Sequence, residues 1–243
     1  MNNVVLILRS MLFMLAFAII TIGYGLAIVF SAKFVSELTL ARIARNWGHV
    51  SLWLLRVICN VSYVIRGVEY LQHQPAVVLA NHQSAWETLA LRALLPLKHT
   101  WVLKSELLKI PVFGWALAIL RPISIQRHLA RQALKQVLLQ GEQALNAGYT
   151  VVIFPEGTRK DTNELGEFNI GGAKLAERAQ VSVIPIAHNA GTVWRRRSFI
   201  KYPGVIRMEI SAPIEVIGKT AAEINQITQQ WIQSTLAQSS SPP

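Results

Sequence analysis

The apolar residues follow two different patterns, one near the N-terminus and another in the rest of the chain. No charged residue occurs in residues 10–32, where Leu, Ile, Ala, Phe and Val dominate. A run of this length can cross a bilayer as a helix, and it is longer than the apolar core of a secretory signal peptide. We therefore interpret this run as a retained membrane anchor.

A second apolar stretch, residues 50–65, is interrupted by Arg56. It is compatible either with a second membrane span or with a helix that lies in the membrane interface, and the sequence leaves both open. Basic residues are more frequent just after the first apolar run than before it. If that run is the sole span, the positive-inside rule places the remainder of the chain in the cytoplasm.

From Arg66 onward, short apolar runs alternate with stretches whose apolar residues recur at helical spacing. Strands are predicted at 76–80, 100–103, 150–154, 181–187 and 205–210, and helices at 88–95, 129–146, 171–179 and 221–236. This alternation predicts an α/β fold with a mostly parallel central sheet flanked by helices. The predicted organisation is a segment of membrane-anchoring helices (1–65), a globular domain (66–238) and a disordered polar tail (239–243).

Composition and charge narrow the classes of partner. The chain has 243 residues, of which 52% are hydrophobic and 15% charged, and its formal net charge is +11. Such a balance favours anionic phospholipid surfaces, acidic protein partners or nucleic acid, although part of the excess can serve only to set membrane topology. The single cysteine, Cys59, excludes an intrachain disulfide and a cysteine-based zinc site. It lies among apolar residues and is interpreted as a packing residue.

The first candidate for chemistry follows the predicted strand at 76–80, where Asn81 and His82 lead into Ser84 and Glu87. Ser84 and Glu87 have the spacing of a capping box, with Ser84 as N-cap and Glu87 at the third helical position. Glu87 can therefore serve only to start the helix, with His82 as an ordinary turn residue. Alternatively, Glu87 orients His82 as a general base. The two roles are compatible, because a helix that begins at Ser84 could let Glu87 reach back toward His82.

A second candidate is the sequence Phe-Pro-Glu-Gly-Thr-Arg at 154–159, which follows another predicted strand. Gly157 permits close backbone approach, Thr158 offers a hydroxyl, and Arg159 can bind two oxygens of a phosphate at once. Taken alone, the segment is equally compatible with a solvated surface turn. A third place is Arg127, at the end of a short strand candidate at 121–127.

The order of the motifs resembles that of the glycerophospholipid acyltransferase family. The motifs are H-x-x-x-x-E at 82–87, a strand ending in Arg127, FPEGTR at 154–159, and Val-Ile-Pro-Ile-Ala at 183–187. The similarity runs from about residue 66 to about residue 212 and includes the segment that begins with Leu103 and Lys104. There are departures: the family usually has Asp where this chain has Glu87, and Asn169 replaces the Lys of its F-K-x-G stretch.

The resemblance implies an enzyme that moves a fatty acyl group from acyl-carrier protein or acyl-CoA to the sn-2 hydroxyl of lysophosphatidic acid, giving phosphatidic acid. His82 and Glu87 would be catalytic, without a covalent intermediate. Binding of the acceptor's phosphate is expected from four residues: Arg127, Gly157, Thr158 and Arg159. Supporting roles are expected for Asn81, Ser84, Lys104 and Glu156, the last orienting Arg159 or its turn.

Nothing in the sequence requires a metal, and no cofactor is expected. The apolar run at residues 10–32 implies residence in a membrane, expected to be the bacterial inner membrane with the catalytic domain on the cytoplasmic side. Two alternatives stay open at this point. The acceptor could be another lysolipid, such as a lyso-ornithine lipid, or the chain could be a membrane-tethered module that binds anionic ligands through residues 195–197. Nucleic acid is not expected as a partner, because a binding module would not need His82 and FPEGTR in this arrangement.

Overall fold

The computed structural model describes residues 3–126, 128–162 and 164–239. It begins with a helical hairpin, in which α1 (Asn3–Ser31) is followed by α2 (Glu37–Cys59). The Ser36 hydroxyl accepts the Thr39 N–H and so caps the start of α2. By length and composition, α1 is the one helix in these ranges that could cross a membrane.

One side of α1 packs on the rest of the protein and the other is exposed. Phe13 is fully buried and meets the ring of Trp194 edge to face, with 5.6 Å between centroids. Nearby, the Ser10 hydroxyl accepts the backbone N–H of Lys201 at 2.9 Å. The exposed apolar side chains of α1 recur at helical spacing and form one stripe: Leu8, Leu12, Leu15, Ile19 and Ile22. This stripe is the surface that a bilayer would cover.

The prediction of a single helix across residues 50–65 is wrong. Helix α2 ends at Cys59, because Asn60 adopts the left-handed conformation with φ 55°. The next residues, Val61–Arg66, form strand β1 and pair in parallel with residues 204–209. The β-branched and aromatic side chains of this segment suit a strand, and the sheet thus includes residues that the sequence assigned to the membrane anchor.

The central sheet has seven strands in the described residues, in the order β1-β7-β6-β2-β5-β3-β4. After β1 they are β2 (Val77–Ala80), β3 (His99–Lys104), β4 (Ile123–Ile125), β5 (Thr150–Ile153), β6 (Val183–His188) and β7 (Gly204–Ile210). Strands β6 and β7 pair antiparallel, and every other neighbouring pair is parallel. The predicted mostly parallel α/β sheet is therefore confirmed.

Helices cover both faces of the sheet: α3 (Trp86–Leu94), α4 (Phe113–Ile119), α5 (Ala130–Asn146), α6 (Gly171–Ala179) and α7 (Ala221–Ser239). Alternate residues of β2 point to opposite faces. Val78 belongs to a core cluster that includes side chains of α1, α2 and α3, whereas Val77 belongs to a second cluster with side chains of α5, α6 and α7. Four helices lie close to their predicted positions, and α4 was not predicted. Of the predicted disordered tail, Ser239 ends α7 and residues 240–243 lie outside the described residues.

The sheet order fixes where the candidate chemistry meets. Strands β2, β5, β3 and β4 are adjacent and parallel, so their carboxyl ends share one edge of the sheet. Residues 81–87 follow β2, and residues 154–160 follow β5. Ligands in open α/β sheets bind at this kind of edge, and both sequence motifs are therefore brought to it.

Candidate active site

The Glu87 carboxylate joins the start of α3 to the imidazole of His82. Its Oε1 lies 2.7 Å from His82 Nδ1, and it also accepts the backbone N–H groups of Gln83 at 3.0 Å and Ser84 at 2.8 Å. Glu87 therefore contacts the histidine and stabilises the helix start with the same oxygen. The extra methylene of glutamate, relative to the family's usual aspartate, does not prevent the contact.

The helix start differs in detail from the predicted capping box. Helix α3 begins at Trp86, so that Ala85 rather than Ser84 occupies the N-cap position. The Ser84 hydroxyl accepts the Trp86 N–H at 3.2 Å and does not reach the N–H of Glu87. Half of the box remains, because the Ser84 N–H still donates to the Glu87 carboxylate. Ser84 is fully buried, so its hydroxyl is not available as a nucleophile.

The hydrogen bonds set the tautomer of His82. A carboxylate only accepts hydrogen bonds, so Nδ1 of His82 carries the proton and Nε2 presents a lone pair. No described residue makes a hydrogen bond to Nε2, and the side chain is 12% exposed. The ring stacks on Phe154, with 4.1 Å between centroids. The imidazole is thus held by Glu87 and Phe154, with its basic nitrogen free.

His188 lies behind this pair and was missed by sequence reasoning. It is buried, its Nε2 donates to the Asn81 carbonyl at 2.8 Å, and its Nδ1 accepts the Ala190 N–H. Its Nε2 is also 3.9 Å from Glu87 Oε2, which is beyond hydrogen-bond length. Because Nδ1 accepts a hydrogen bond and Nε2 donates one, the ring is neutral, with its N–H end toward Glu87. Burial lowers the pKa of His188. The only available sequence signal was its place directly after the VIPIA strand.

The pKa of Glu87 lies below its ordinary value. Burial of the carboxyl would raise it, but the N–H end of His188 and the hydrogen bonds from His82 and Ser84 outweigh burial. Asn81 strengthens the arrangement by joining β2 to β6. Its amide Nδ2 donates to the His188 carbonyl at 2.9 Å, and its Oδ1 accepts the His188 N–H at 3.0 Å. Asn81, for which a supporting role was predicted, thus lies behind His82, and its side chain joins the two strands by hydrogen bonds.

The FPEGTR loop is held against the backbone of His82 by hydrogen bonds. Glu156 Oε1 accepts the His82 N–H at 2.7 Å, and its Oε2 accepts the Gly166 N–H at 2.9 Å. The Lys160 N–H in turn donates to the His82 carbonyl at 2.8 Å. Glu156 therefore orients the turn, and it makes no ion pair with Arg159. Burial raises the pKa of its carboxyl.

The residues expected to bind a phosphate differ in what they can offer. Gly157 has φ +69°, a conformation that favours glycine, and its N–H donates within the turn to the Phe154 carbonyl. It therefore shapes the loop and is not a free donor. Thr158 is exposed, and Arg159 is partly buried with its Nε lacking a partner among the described residues. Arg127 lies outside the described residues; β4, the strand before it, ends at the same edge of the sheet.

Lys104 does not join the cluster. It ends β3 on the same edge, but its ammonium pairs with Glu106 at 3.1 Å and both side chains are about half exposed. The basic run at 195–197 is partly engaged within the protein. Arg196 binds Asp161 and the Arg159 carbonyl, and Arg195 lies over the ring of Tyr202. Two of the three arginine side chains of this run therefore contact other parts of the protein.

An apolar cavity of about 340 Å³ adjoins the loop. Phe154, which stacks on His82, lines it together with Val102, Ile125, Ala133 and Gly157. An apolar chain attached to a reacting group near His82 could occupy this space. No cluster of three His, Cys, Asp or Glu side chains suited to a metal ion occurs within the described ranges.

Comparisons with known proteins agree with this geometry. The family model described as Acyltransferase matches residues 62–189. A 1-acyl-sn-glycerol-3-phosphate acyltransferase from Pseudomonas aeruginosa is 43% identical over 200 residues, covering 81% of this chain and 77% of the relative. The human 1-acyl-sn-glycerol-3-phosphate acyltransferase beta is 27% identical over 167 residues, covering 68% of this chain and 60% of the relative.

The fold has a counterpart among solved structures. The crystal structure of the 1-acyl-sn-glycerophosphate acyltransferase from Thermotoga maritima superimposes with a TM-score of 0.85 and covers 100% of this chain and 99% of its own. Its sequence identity is 18%, so this likeness concerns the fold. From the matched family model and the extent of the Pseudomonas aeruginosa similarity, the chain belongs to the acyltransferase family.

Proposed function

We propose that this acyltransferase moves a fatty acyl group from a thioester to the sn-2 hydroxyl of lysophosphatidic acid, giving phosphatidic acid. The observation that carries the proposal is the His82–Glu87 pair, with Nε2 of His82 free at the carboxyl edge of the sheet. The names of the Pseudomonas aeruginosa and human relatives support the choice of acceptor. Acyl-carrier protein and acyl-CoA are both proposed as donors.

The chemistry follows from the orientation of the imidazole. His82 Nε2 takes the proton of the acceptor hydroxyl while the oxygen attacks the thioester carbonyl. The tetrahedral intermediate then collapses, the carbon–sulfur bond breaks, and the proton on the imidazolium goes to the leaving thiolate. The nearby Glu87 carboxylate stabilises the imidazolium formed between these steps. A positioned general base contributes roughly 10²–10⁴-fold to the rate, and the reaction requires no cofactor.

Acceptor binding is assigned to the loop after β5. Arg159 supplies charge and a planar donor pair for the phosphate, Thr158 supplies an exposed hydroxyl, and Gly157 supplies the turn. We propose that Arg127 completes this site, because it follows β4 at the same edge of the sheet. The acyl chain would extend into the apolar cavity beside Phe154. Binding both substrates at one edge converts the transfer into an effectively unimolecular step.

Membrane contact is assigned to the N-terminal hairpin. The exposed apolar stripe of α1 would lie in the lipid, and the basic residues that follow it favour the cytoplasmic side of a bacterial inner membrane. The helical hairpin then serves chiefly as the anchor, and the catalytic domain begins with strand β1. The lysolipid would reach His82 from the membrane surface without crossing bulk water.

The test is acyl transfer by membranes that contain the protein, with both thioester donors and a panel of lysolipid acceptors. His82→Ala should abolish transfer to lysophosphatidic acid and leave the fold intact by circular dichroism. His73→Ala, an exposed histidine away from the site, should retain the wild-type rate. An active His82→Ala protein would refute the general-base role. Preferential use of another lysolipid, such as a lyso-ornithine lipid, would replace the acceptor proposed here.

A further inference from the structure

A second site candidate lies at the edge of the sheet opposite His82. It is a cleft of about 660 Å³ between the start of α2, the end of α4, the end of α5 and the beginnings of β3 and β4. Apolar side chains line part of it, including Leu38, Leu40, Ile119 and Leu120. The catalytic residues do not line this cleft, and the acyl transfer proposed above makes no use of it.

Arg92, near the end of α3, lines the cleft and has no anionic partner. The residue is only 8% exposed. No hydrogen bond or ion pair joins its side chain to a described residue, and its guanidinium carbon lies over the ring of Trp101, 5.4 Å from the centroid. Burial lowers its pKa to about 10. A buried and unpaired cation is costly to the folded state, and an anion that enters the cleft would remove that cost.

The neighbouring polar groups leave this charge uncompensated. His99 also lines the cleft, where its Nδ1 contacts the Pro96 carbonyl and its Nε2 has no partner among the described residues. Glu37, the carboxylate at the cleft, is instead held by Arg121 at 2.7 Å and by the Tyr149 hydroxyl at 3.3 Å. The cleft therefore combines apolar walls with an excess of positive charge.

We propose that this cleft is a second binding site, in which Arg92 binds the phosphate group of an anionic amphipathic lipid. A guanidinium offers paired donors that match the oxygens of a phosphate, and the apolar walls suit the first carbons of a lipid chain. The turn of the helical hairpin supports a lipid as the source. Phe30 and Phe34, on either side of the end of α1, are 72% and 85% exposed, next to the part of α2 that lines the cleft. Free phosphate has the same chemistry and is the second source to test.

The experiment follows thermal unfolding of the full chain in a neutral detergent, titrated with phosphatidic acid, with inorganic phosphate or with phosphatidylcholine. All variants carry Arg159→Ala, so that binding at the catalytic loop does not contribute. Arg92→Met is compared with Arg207→Met, which removes the same charge from an exposed position. Without a ligand, Arg92→Met should unfold at a higher temperature than Arg207→Met, because it removes a buried unpaired charge.

Phosphatidic acid should raise the unfolding temperature of the Arg207→Met protein. The Arg92→Met protein should need at least about tenfold more lipid to reach half of that rise. Arg92→Lys keeps the charge without the planar fork and should fall between them, which gives a second variant if Arg92→Met is insoluble. If the Arg92 variants lose affinity for phosphatidic acid alone, the site binds a lipid; if they lose affinity for phosphate equally, it binds free anions. Either loss supports binding at Arg92. The proposal would be overturned if, for both anions, the concentration that gives half of the stabilisation differs less than twofold between each Arg92 variant and Arg207→Met.

Discussion

Replacing Glu87 with Gln separates the two roles of this carboxylate. All three hydrogen bonds to it converge on Oε1, from His82 Nδ1 and from the N–H groups of Gln83 and Ser84. A glutamine that keeps its oxygen in that place can still accept all three, and its NH₂ would take the place of Oε2, which has no hydrogen-bond partner among the described residues. The substitution therefore preserves the geometry and removes the charge.

The expected loss of activity comes from the imidazolium that forms during transfer. Unit charges about 4 Å apart interact by about 4 kcal/mol at an effective dielectric constant of about 20. Since about 1.4 kcal/mol corresponds to a tenfold change in rate, kcat should fall about 10³-fold. KM for lysophosphatidic acid should change little, because the phosphate is bound by the other loop. The free energy of unfolding should fall by less than the loss of three hydrogen bonds would cause. The glutamine oxygen still accepts all three, and neutral hydrogen bonds contribute about 1 kcal/mol each.

The assay measures initial rates of phosphatidic acid formation in membranes, with thermal unfolding as the check on folding. Glu106→Gln, which changes an exposed carboxylate that pairs with Lys104 and not with His82, is the matched control. A kcat within about threefold of wild type would show that Glu87 serves only the helix start, since a charge effect of that size is below 1 kcal/mol. Acid unfolding gives an independent check. The folded-state pKa of Glu87 lies below its ordinary value of 4.5, so its contribution to stability is present above that pH and lost as pH falls through the folded-state pKa. The glutamine variant should lack this loss.

Three further substitutions test the loop after β5. Glu156→Gln should lower the free energy of unfolding by about 1–3 kcal/mol. The two carboxylate oxygens of Glu156 accept the N–H groups of His82 and Gly166, and in the glutamine variant one of these N–H groups would face an amide NH₂. Urea unfolding that matches wild type would contradict this. Arg159→Ala should raise KM for lysophosphatidic acid at least about tenfold with a smaller change in kcat, and unchanged steady-state kinetics would remove Arg159 from the phosphate site. Gly157→Ala should cost about 1–2 kcal/mol in thermal unfolding, because alanine is strained at φ +69°, whereas an unaltered melting temperature would show that the turn relaxes.

Much of the fold could be predicted from local patterns, because each pattern reports a property of its own segment. The apolar run in residues 10–32 predicted α1, and the alternation of apolar strands with helices predicted the sheet class. The two motifs after β2 and β5 could be placed at one edge, because parallel strands end together. Strand β1 could not be found in this way. Its residues are apolar enough to continue a membrane segment, and their pairing depends on β7, far away in the sequence.

The site shows the same division. The sequence by itself determined the candidate residues: a histidine, a carboxylate five positions later, and a turn that contains a glycine and an arginine. Only the tertiary structure decided how these residues are arranged. The hydrogen bonds of Glu87 are local, but those between Asn81 and His188 and between Glu156 and His82 join segments far apart in the sequence. The same is true of Arg92, whose lack of a partner among the described residues depends on every element packed around it. Local propensity specifies a segment, whereas the partner of a buried charge is a property of the assembled core.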